Sequence, residues 1–212
     1  MRYNLYRREL CRVYDRQFKV HGGVPEGSFW YDERRQVLRF EVIFDQLKRL
    51  FPRTFSIADI GCGYGAMLDY ILQASIVDAG CYTGYDISKN LVESCRKRFF
   101  EVGAEFNIGD SPVVSVDCSV MSGTYNKTVT KNVRRWEAYV FACLSKIWKK
   151  TEVAMVFNLQ SSSLEGPFIS KSNIYYTQAD QFCAKLNSMF GVTKLIRERS
   201  MPRDITFIVR RF

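Results

Sequence analysis

The segment Ile57-Ala58-Asp59-Ile60-Gly61-Cys62-Gly63-Tyr64-Gly65 constrains this chain more than any other. It reads as a buried strand ending in a glycine-rich turn, followed by a helical pattern from about Ala66 to Ala74. Such a turn lets the backbone pass close to a bound nucleotide, where a Cβ would collide. A tight strand-to-helix turn with no ligand also explains the glycines. Asp59 sharpens the signal, because a carboxylate in a buried strand is costly unless something polar meets it. A cationic ligand lying over the turn would do that.

Two ligand patterns overlap here. Gly61-x-Gly63-x-x-Ala66 fits the dinucleotide fingerprint loosely. Asp59-x-Gly61-x-Gly63-x-Gly65 fits the turn used for S-adenosylmethionine (SAM) more closely, since the dinucleotide turn usually follows an apolar strand. The next segments fall at suitable distances. Cys81 to Ile87 reads as a second strand ending in Asp86, about 20 residues past the turn, where a carboxylate can accept both ribose hydroxyls. Asp86 can equally be a helix-capping acid, as Ser88 and a helix follow at once. Phe106-Asn107-Ile108-Gly109-Asp110 ends a third strand with an acid placed to accept from an adenine amino group; alone, Gly-Asp is an ordinary turn.

In these motifs the chain resembles the class I SAM-dependent methyltransferases, over about Phe55 to Arg211. Asp59 to Gly65 looks like the family's first motif, Asp86 its acidic second, and Asp110 its adenine-contacting position. Cys118-Ser119-Val120-Met121-Ser122-Gly123 looks like the fourth-strand motif beneath the methionine part of SAM. The resemblance implies an α/β Rossmann-like fold: a seven-stranded, mostly parallel sheet with helices on both faces and an antiparallel last strand. It implies SAM as cofactor, with Asp59, Gly61, Cys62, Gly63, Gly65, Asp86, Ile87, Asp110, Ser111, Ser122 and Gly123 in its site. More narrowly, the chain is similar to a bacterial group of small methyltransferases. The matching residues are the lead-in His21-Gly22-Gly23-Val24-Pro25…Trp30…Glu33-Arg34 and the strand end Ser122-Gly123-Thr124-Tyr125-Asn126. That match brings no substrate with it.

The 212 residues suit one compact unit with a sizeable core, 47% apolar and 15% aromatic. We divide it into an N-terminal helical extension covering the site (1–52) and the methyltransferase domain (53–212). Residues 1 to 20 have helical spacing, with Leu10, Val13 and Tyr14 on one side. His21 to Tyr31 is dense in turn formers. Asp32 can cap a helix from Glu33 to about Leu50, with Val37, Phe40, Phe44 and Leu47 as its stripe. Strand and helix then alternate, which argues for a parallel sheet. Val153 to Leu159 reads as a doubly covered strand, Thr177 to Phe190 as a helix, and Val192 to Ile196 with Ile205 to Val209 as a closing hairpin. A ligand in this topology lies at the carboxyl ends of the strands.

Methyl transfer from a sulfonium needs mainly alignment and exclusion of water. A base is required only when the acceptor must lose a proton. His21, the single histidine, is the candidate base; it can also be an ordinary loop residue. Tyr125 and Asn126 follow the fourth strand and can orient an acceptor, or simply form a turn. Trp30, Tyr31, Tyr175 and Tyr176 can wall an acceptor pocket or pack, and Arg34 or Arg39 can reach the SAM carboxylate. The absence of an Asn-Pro-Pro-aromatic tetrad lowers the case for DNA adenine methylation.

Seven scattered cysteines without a CxxC pair, and one histidine, argue for buried free thiols and against a zinc site. No apolar run suits a bilayer or a signal peptide, so a cytoplasmic protein, monomer or homodimer, is expected. The function expected is methyl transfer to a small-molecule acceptor. The net charge of +9 keeps an RNA methyltransferase as the alternative. A non-catalytic SAM- or nucleotide-binding protein and an NAD-dependent oxidoreductase are further readings. Asp59, Asp86 and Asp110 argue against the former, Asp59 against the latter.

Overall fold

The structure is a computed structural model describing residues 3–29, 33–162 and 164–211. Seven strands form the main sheet: β1 (Ile57–Ile60), β2 (Tyr82–Asp86), β3 (Glu105–Ile108), β4 (Val116–Met121), β5 (Thr151–Ser161), then the hairpin pair β8 (Val192–Arg197) and β9 (Asp204–Arg210). Their spatial order is β3-β2-β1-β4-β5-β9-β8. The first five run parallel, and β9 enters antiparallel between β5 and β8. This is the expected sheet, with one addition. Two short strands, β6 (Phe168–Ile169) and β7 (Tyr175–Thr177), extend the end of β5, where Gln160 and Ser161 pair with Tyr176 and Thr177.

Helices cover both faces. On one side lie α1 (Tyr3–His21), α5 (Val133–Trp148) and α6 (Ala179–Met189), whose Leu10, Trp136, Leu144 and Phe182 share one core. On the other lie α2 (Glu33–Leu50), α3 (Ala66–Gln73) and α4 (Lys89–Arg98), packing Phe44, Leu68 and Val92 into a second. With both faces buried, the central strands lose their alternation: Ile57 to Ile60 is buried at every position, Asp59 included.

Three boundaries differ from the sequence expectations. His21 closes α1 instead of opening a loop, and a short 3₁₀ turn (Pro25–Ser28) follows. Tyr175 to Thr177 form β7, so α6 starts only at Ala179. Ser88, not Asp86, is the N-cap of α4, its side chain accepting the Leu91 N–H. The expected cap Asp32 lies outside the described residues, as do Trp30 and Tyr31.

The last glycine of the turn serves packing. Gly65 caps α3 at φ 88°, and a Cβ there would meet the Phe99 ring at 2.5 Å. Positive φ and overlap act together, so Gly65→Ala is predicted to cost about 1–3 kcal/mol, read as a lower urea midpoint with unchanged slope.

Candidate active site

The carboxyl ends of β1 to β4 converge on one cleft. The turn after β1 is held by β2: Gly61 and Cys62 N–H both donate to the Tyr85 carbonyl, at 2.7 and 3.0 Å. Asp86, the last residue of β2, accepts the Gly63 N–H on Oδ2 at 3.0 Å and the Ser88 N–H on Oδ1 at 2.8 Å. From β4, Thr124 Oγ1 donates to the Ile60 carbonyl, and a Cβ on Gly61 would meet the Thr124 methyl at 2.7 Å. Gly61 is therefore required by the fourth strand's loop as well as by its φ of 76°.

The cleft encloses about 720 Å³, the part open to solvent included. Its floor is Gly61, Gly63, Asp86, Ile87, Gly109 and Asp110, continuing through Ser122, Gly123 and Tyr125. Tyr139 and Cys143 of α5 form a wall, and Leu10, Tyr14 and Ser28 of the N-terminal segment close over it. A smaller recess beside it, shared through Ser28, Gly61, Gly63 and Ser122, is lined by Asp59, Cys62 and Gln36.

Three acids at the strand ends have different electrostatics. Burial pushes the Asp59 carboxyl up to about 7, although the Tyr82 hydroxyl donates to it at 2.7 Å. Burial likewise lifts Asp86 to about 6, against the pull of its backbone N–H donors. Burial also acts upward on Asp110, but Lys146, Tyr3 and Arg7 outweigh it and hold that carboxyl below its usual value. Lys146 Nζ lies 2.5 Å from Oδ1, and Tyr3 Oη donates to Oδ2 at 2.8 Å. Arg7 Nε sits 3.1 Å from the same Oδ2.

Most of the expected residues meet here. Asp59, Gly61, Cys62, Gly63, Asp86, Ile87, Asp110, Ser122, Gly123 and Tyr125 all line the cleft or its recess. Four do not. His21 is exposed at the end of α1, since the helix runs past the cleft before stopping there. Gly65 faces Phe99, and Ser111, though buried, does not line the cleft. Asn126 opens onto a neighbouring cavity, where its Oδ1 accepts the Gln160 N–H at 3.0 Å.

The pocket aromatics also divide. Tyr175 is fully buried, its hydroxyl donating to Glu137 at 2.6 Å, while Tyr176 lines the neighbouring cavity. The polar partner of Asp59 is Tyr82 and not only a ligand, a pairing that strand register creates and no local motif marks. Leu10, Tyr14, Ser28, Thr124, Tyr139 and Cys143 were not foreseen; the helical ones share the spacing of core residues.

The fit of a bound cofactor shows in unsatisfied atoms. Among the described residues, Ser28 Oγ and Ser122 Oγ are buried without a hydrogen-bond partner, and both border the space between the glycine turn and the N-terminal segment. Buried hydroxyls are rarely left so. With the acid and N–H groups around them, they suit a ligand with both polar and charged ends.

No protein-family model matches the chain. A curated relative, "Putative methyltransferase Rv1506c" of Mycobacterium tuberculosis, is 31% identical over 123 residues, 58% of this chain and 72% of the relative. This chain belongs to the class I SAM-dependent methyltransferases. Solved structures show the same fold. A SAM-dependent methyltransferase of Leishmania major gives a TM-score of 0.68 at 11% identity, covering 94% of this chain and 82% of that one. The magnesium protoporphyrin IX methyltransferase of Synechocystis, with bound S-adenosylhomocysteine (SAH), gives 0.60 at 12%, covering 84% and 83%. The glycopeptide N-methyltransferase MtfA, complexed with SAH, gives 0.59 at 13%, covering 78% and 87%. As a methyltransferase of this class, the protein uses SAM as methyl donor. No helix among the described residues is long and apolar enough to cross a membrane.

The raised Asp59 carboxyl gives a stability prediction. The folded chain binds this proton more tightly than the unfolded one, whose value is near the ordinary 3.8. The associated stabilisation is full below that value and is lost as pH rises through about 7. Asp59→Asn removes the buried charge. The ligand-free variant is predicted to melt about 3 °C or more above the parent at pH 8, with the gap narrowing as pH falls through about 7 and closing only as pH approaches 3.8. A gap independent of pH contradicts the buried charge.

Proposed function

We propose that the cleft holds SAM with its ribose over Asp86, and that the methyl group passes to a small-molecule acceptor. One observation carries this reading. Asp86 is fixed at the end of β2 by two backbone N–H donors, directly beside the glycine turn that borders the same cleft. Each carboxylate oxygen keeps a free lone pair for a ribose hydroxyl.

The other residues fall into place around it. The backbone of Gly61, Cys62 and Gly63 curves around the methionine end, with Asp59 behind it. Ser122 and Gly123 lie beneath that end, and the hydroxyls of Ser28 and Ser122 gain the partners they lack. Ile87, Tyr139 and Cys143 flank the adenine. Asp110 then shares its oxygens between the adenine amino group and Tyr3, Arg7 and Lys146.

Bound SAM supplies an electrophilic methyl carbon; the protein supplies position and dryness. Tyr14 and Ser28 screen the cleft from solvent on the acceptor side. Tyr125 keeps its proton, because burial raises it well above the ordinary value for a tyrosine. It therefore orients by hydrogen bonding and does not act as a base. His21 is exposed and does not line the cleft, so it is not placed to serve as one. A small acceptor is supported by the scale of the cavities: Tyr14 of α1 and Ser28 of the 3₁₀ turn border pockets of metabolite size beside Gly123.

Asp86→Ala is predicted to weaken SAH binding at least tenfold in calorimetry, through loss of two buried hydroxyl contacts. Unchanged affinity would remove Asp86 from the ribose.

A further inference from the structure

A second cavity adjoins the cofactor cleft and shares Tyr14, Ser28 and Gly123 with it. Anything bound there lies next to the fourth-strand end, where the reading above places the methionine part of SAM. The cavity spans about 1010 Å³, the part open to solvent included, enough for a molecule of metabolite size.

Its lining is unevenly charged. Arg35 and Arg39 enter from α2, four residues apart on one face, and Lys127 enters from the loop after β4. Like charges at this helical spacing repel, and among the described residues one carboxylate, Asp204, lines the same space. Asp204 forms a buried ion pair with Arg39 and accepts from Gln160 Nε2 at 2.9 Å, so its charge is committed to Arg39. Arg35 stands at the exposed rim, on the same face of α2. Lys127 Nζ lies 4.8 Å from the centre of the Phe29 ring and donates to the Ser172 carbonyl at 3.0 Å. A carbonyl and a ring steady this ammonium without neutralising it. Burial and the nearby Lys131 both act to lower its affinity for its proton, as expected for a cation facing positive surroundings.

The remaining walls are flat or neutral. Tyr176, Phe29 and Tyr14 give aromatic surface, with Tyr176 stacked on Phe168 at 4.7 Å and Phe29 edge-on to Tyr14 at 5.4 Å. Asn126 and Gln160 form a polar floor. An uncharged or cationic acceptor would leave the positive excess buried beneath it. An acceptor with an oxyanion would meet a guanidinium from α2 and an ammonium from the loop after β4 while its body rests on the rings.

We propose that this cavity is the acceptor site and that the acceptor carries an oxyanionic group, a carboxylate or a phosphate, held between Arg35 and Lys127. The inference rests on the placement of SAM in the neighbouring cleft, and its test separates the two. Protein saturated with SAH is titrated at low salt with benzoate and, separately, with inorganic phosphate, following backbone amide shifts. At least one anion is expected to saturate, with shifts centred on Lys127, Arg35 and Tyr176. The tighter of the two names the source of the charge.

The double variant Arg35→Gln, Lys127→Met is expected to lose at least tenfold in that affinity while binding SAH as the parent does. Arg35→Gln alone, a change at the rim that threatens no packing, is expected to lose about threefold or more. Saturation by neither anion, or equal affinity in the variants, overturns the proposal with the cofactor site intact. Loss of SAH affinity in a folded double variant also overturns it, because those cations would then serve the cofactor's own carboxylate. Failure of the parent to bind SAH sinks the cofactor placement and this inference together.

Discussion

The carboxylate of Asp86 organises the whole carboxyl edge of the sheet. One oxygen fixes the glycine turn through Gly63 N–H, and the other fixes the start of α4 through Ser88 N–H. The Asp86 carbonyl accepts the Gly109 N–H at 2.9 Å, which ties in the end of β3. Its neighbour Tyr85 accepts from Gly61 and Cys62. A single strand end thus sets the positions of three loops that meet at the cleft. The arrangement holds a charge in a buried place, and its raised proton affinity is the sign of that tension.

The N-terminal segment completes the site from outside the alternating core. Tyr6 and Leu10 of α1 pack into the same core as Trp136 and Tyr139, with Tyr6 edge-on to Tyr139 at 5.7 Å. Further along, Asp15 accepts from Ser88 Oγ at 2.5 Å, and Cys11 lies against the Ile87 carbonyl. At its start, Tyr3 and Arg7 reach Asp110. The helix therefore touches the loops after β2 and β3. Those contacts make it a wall of the cleft, and they leave Asp110 satisfied where Asp59 and Asp86 remain under strain from burial.

Period and punctuation made the sheet readable in advance. The glycine turn, the acids at two strand ends, the doubly covered β5 and the closing β8–β9 hairpin each leave a local trace. Features made by distant contact leave none. Tyr82 meets Asp59 only because β1 and β2 pair in one register, and Gly65 is needed by a ring 34 residues later. His21 misled because turn formers follow it, yet α1 continues through it and carries it past the site. The short β6 and β7 escaped because tertiary pairing to the end of β5, not composition, makes them strands. Arg39 reads from the sequence as a partner for the SAM carboxylate; only the fold shows that it borders the neighbouring cavity and pairs with Asp204.

A crystal structure of the SAH complex tests the central claim most directly. The account predicts the ribose hydroxyls within hydrogen-bond distance of Asp86, the adenine between Ile87 and Cys143, and the amino acid end beside Ser28, Ser122 and the Gly61–Gly63 turn. SAH bound elsewhere, or in this cleft with its ribose away from Asp86, would contradict it.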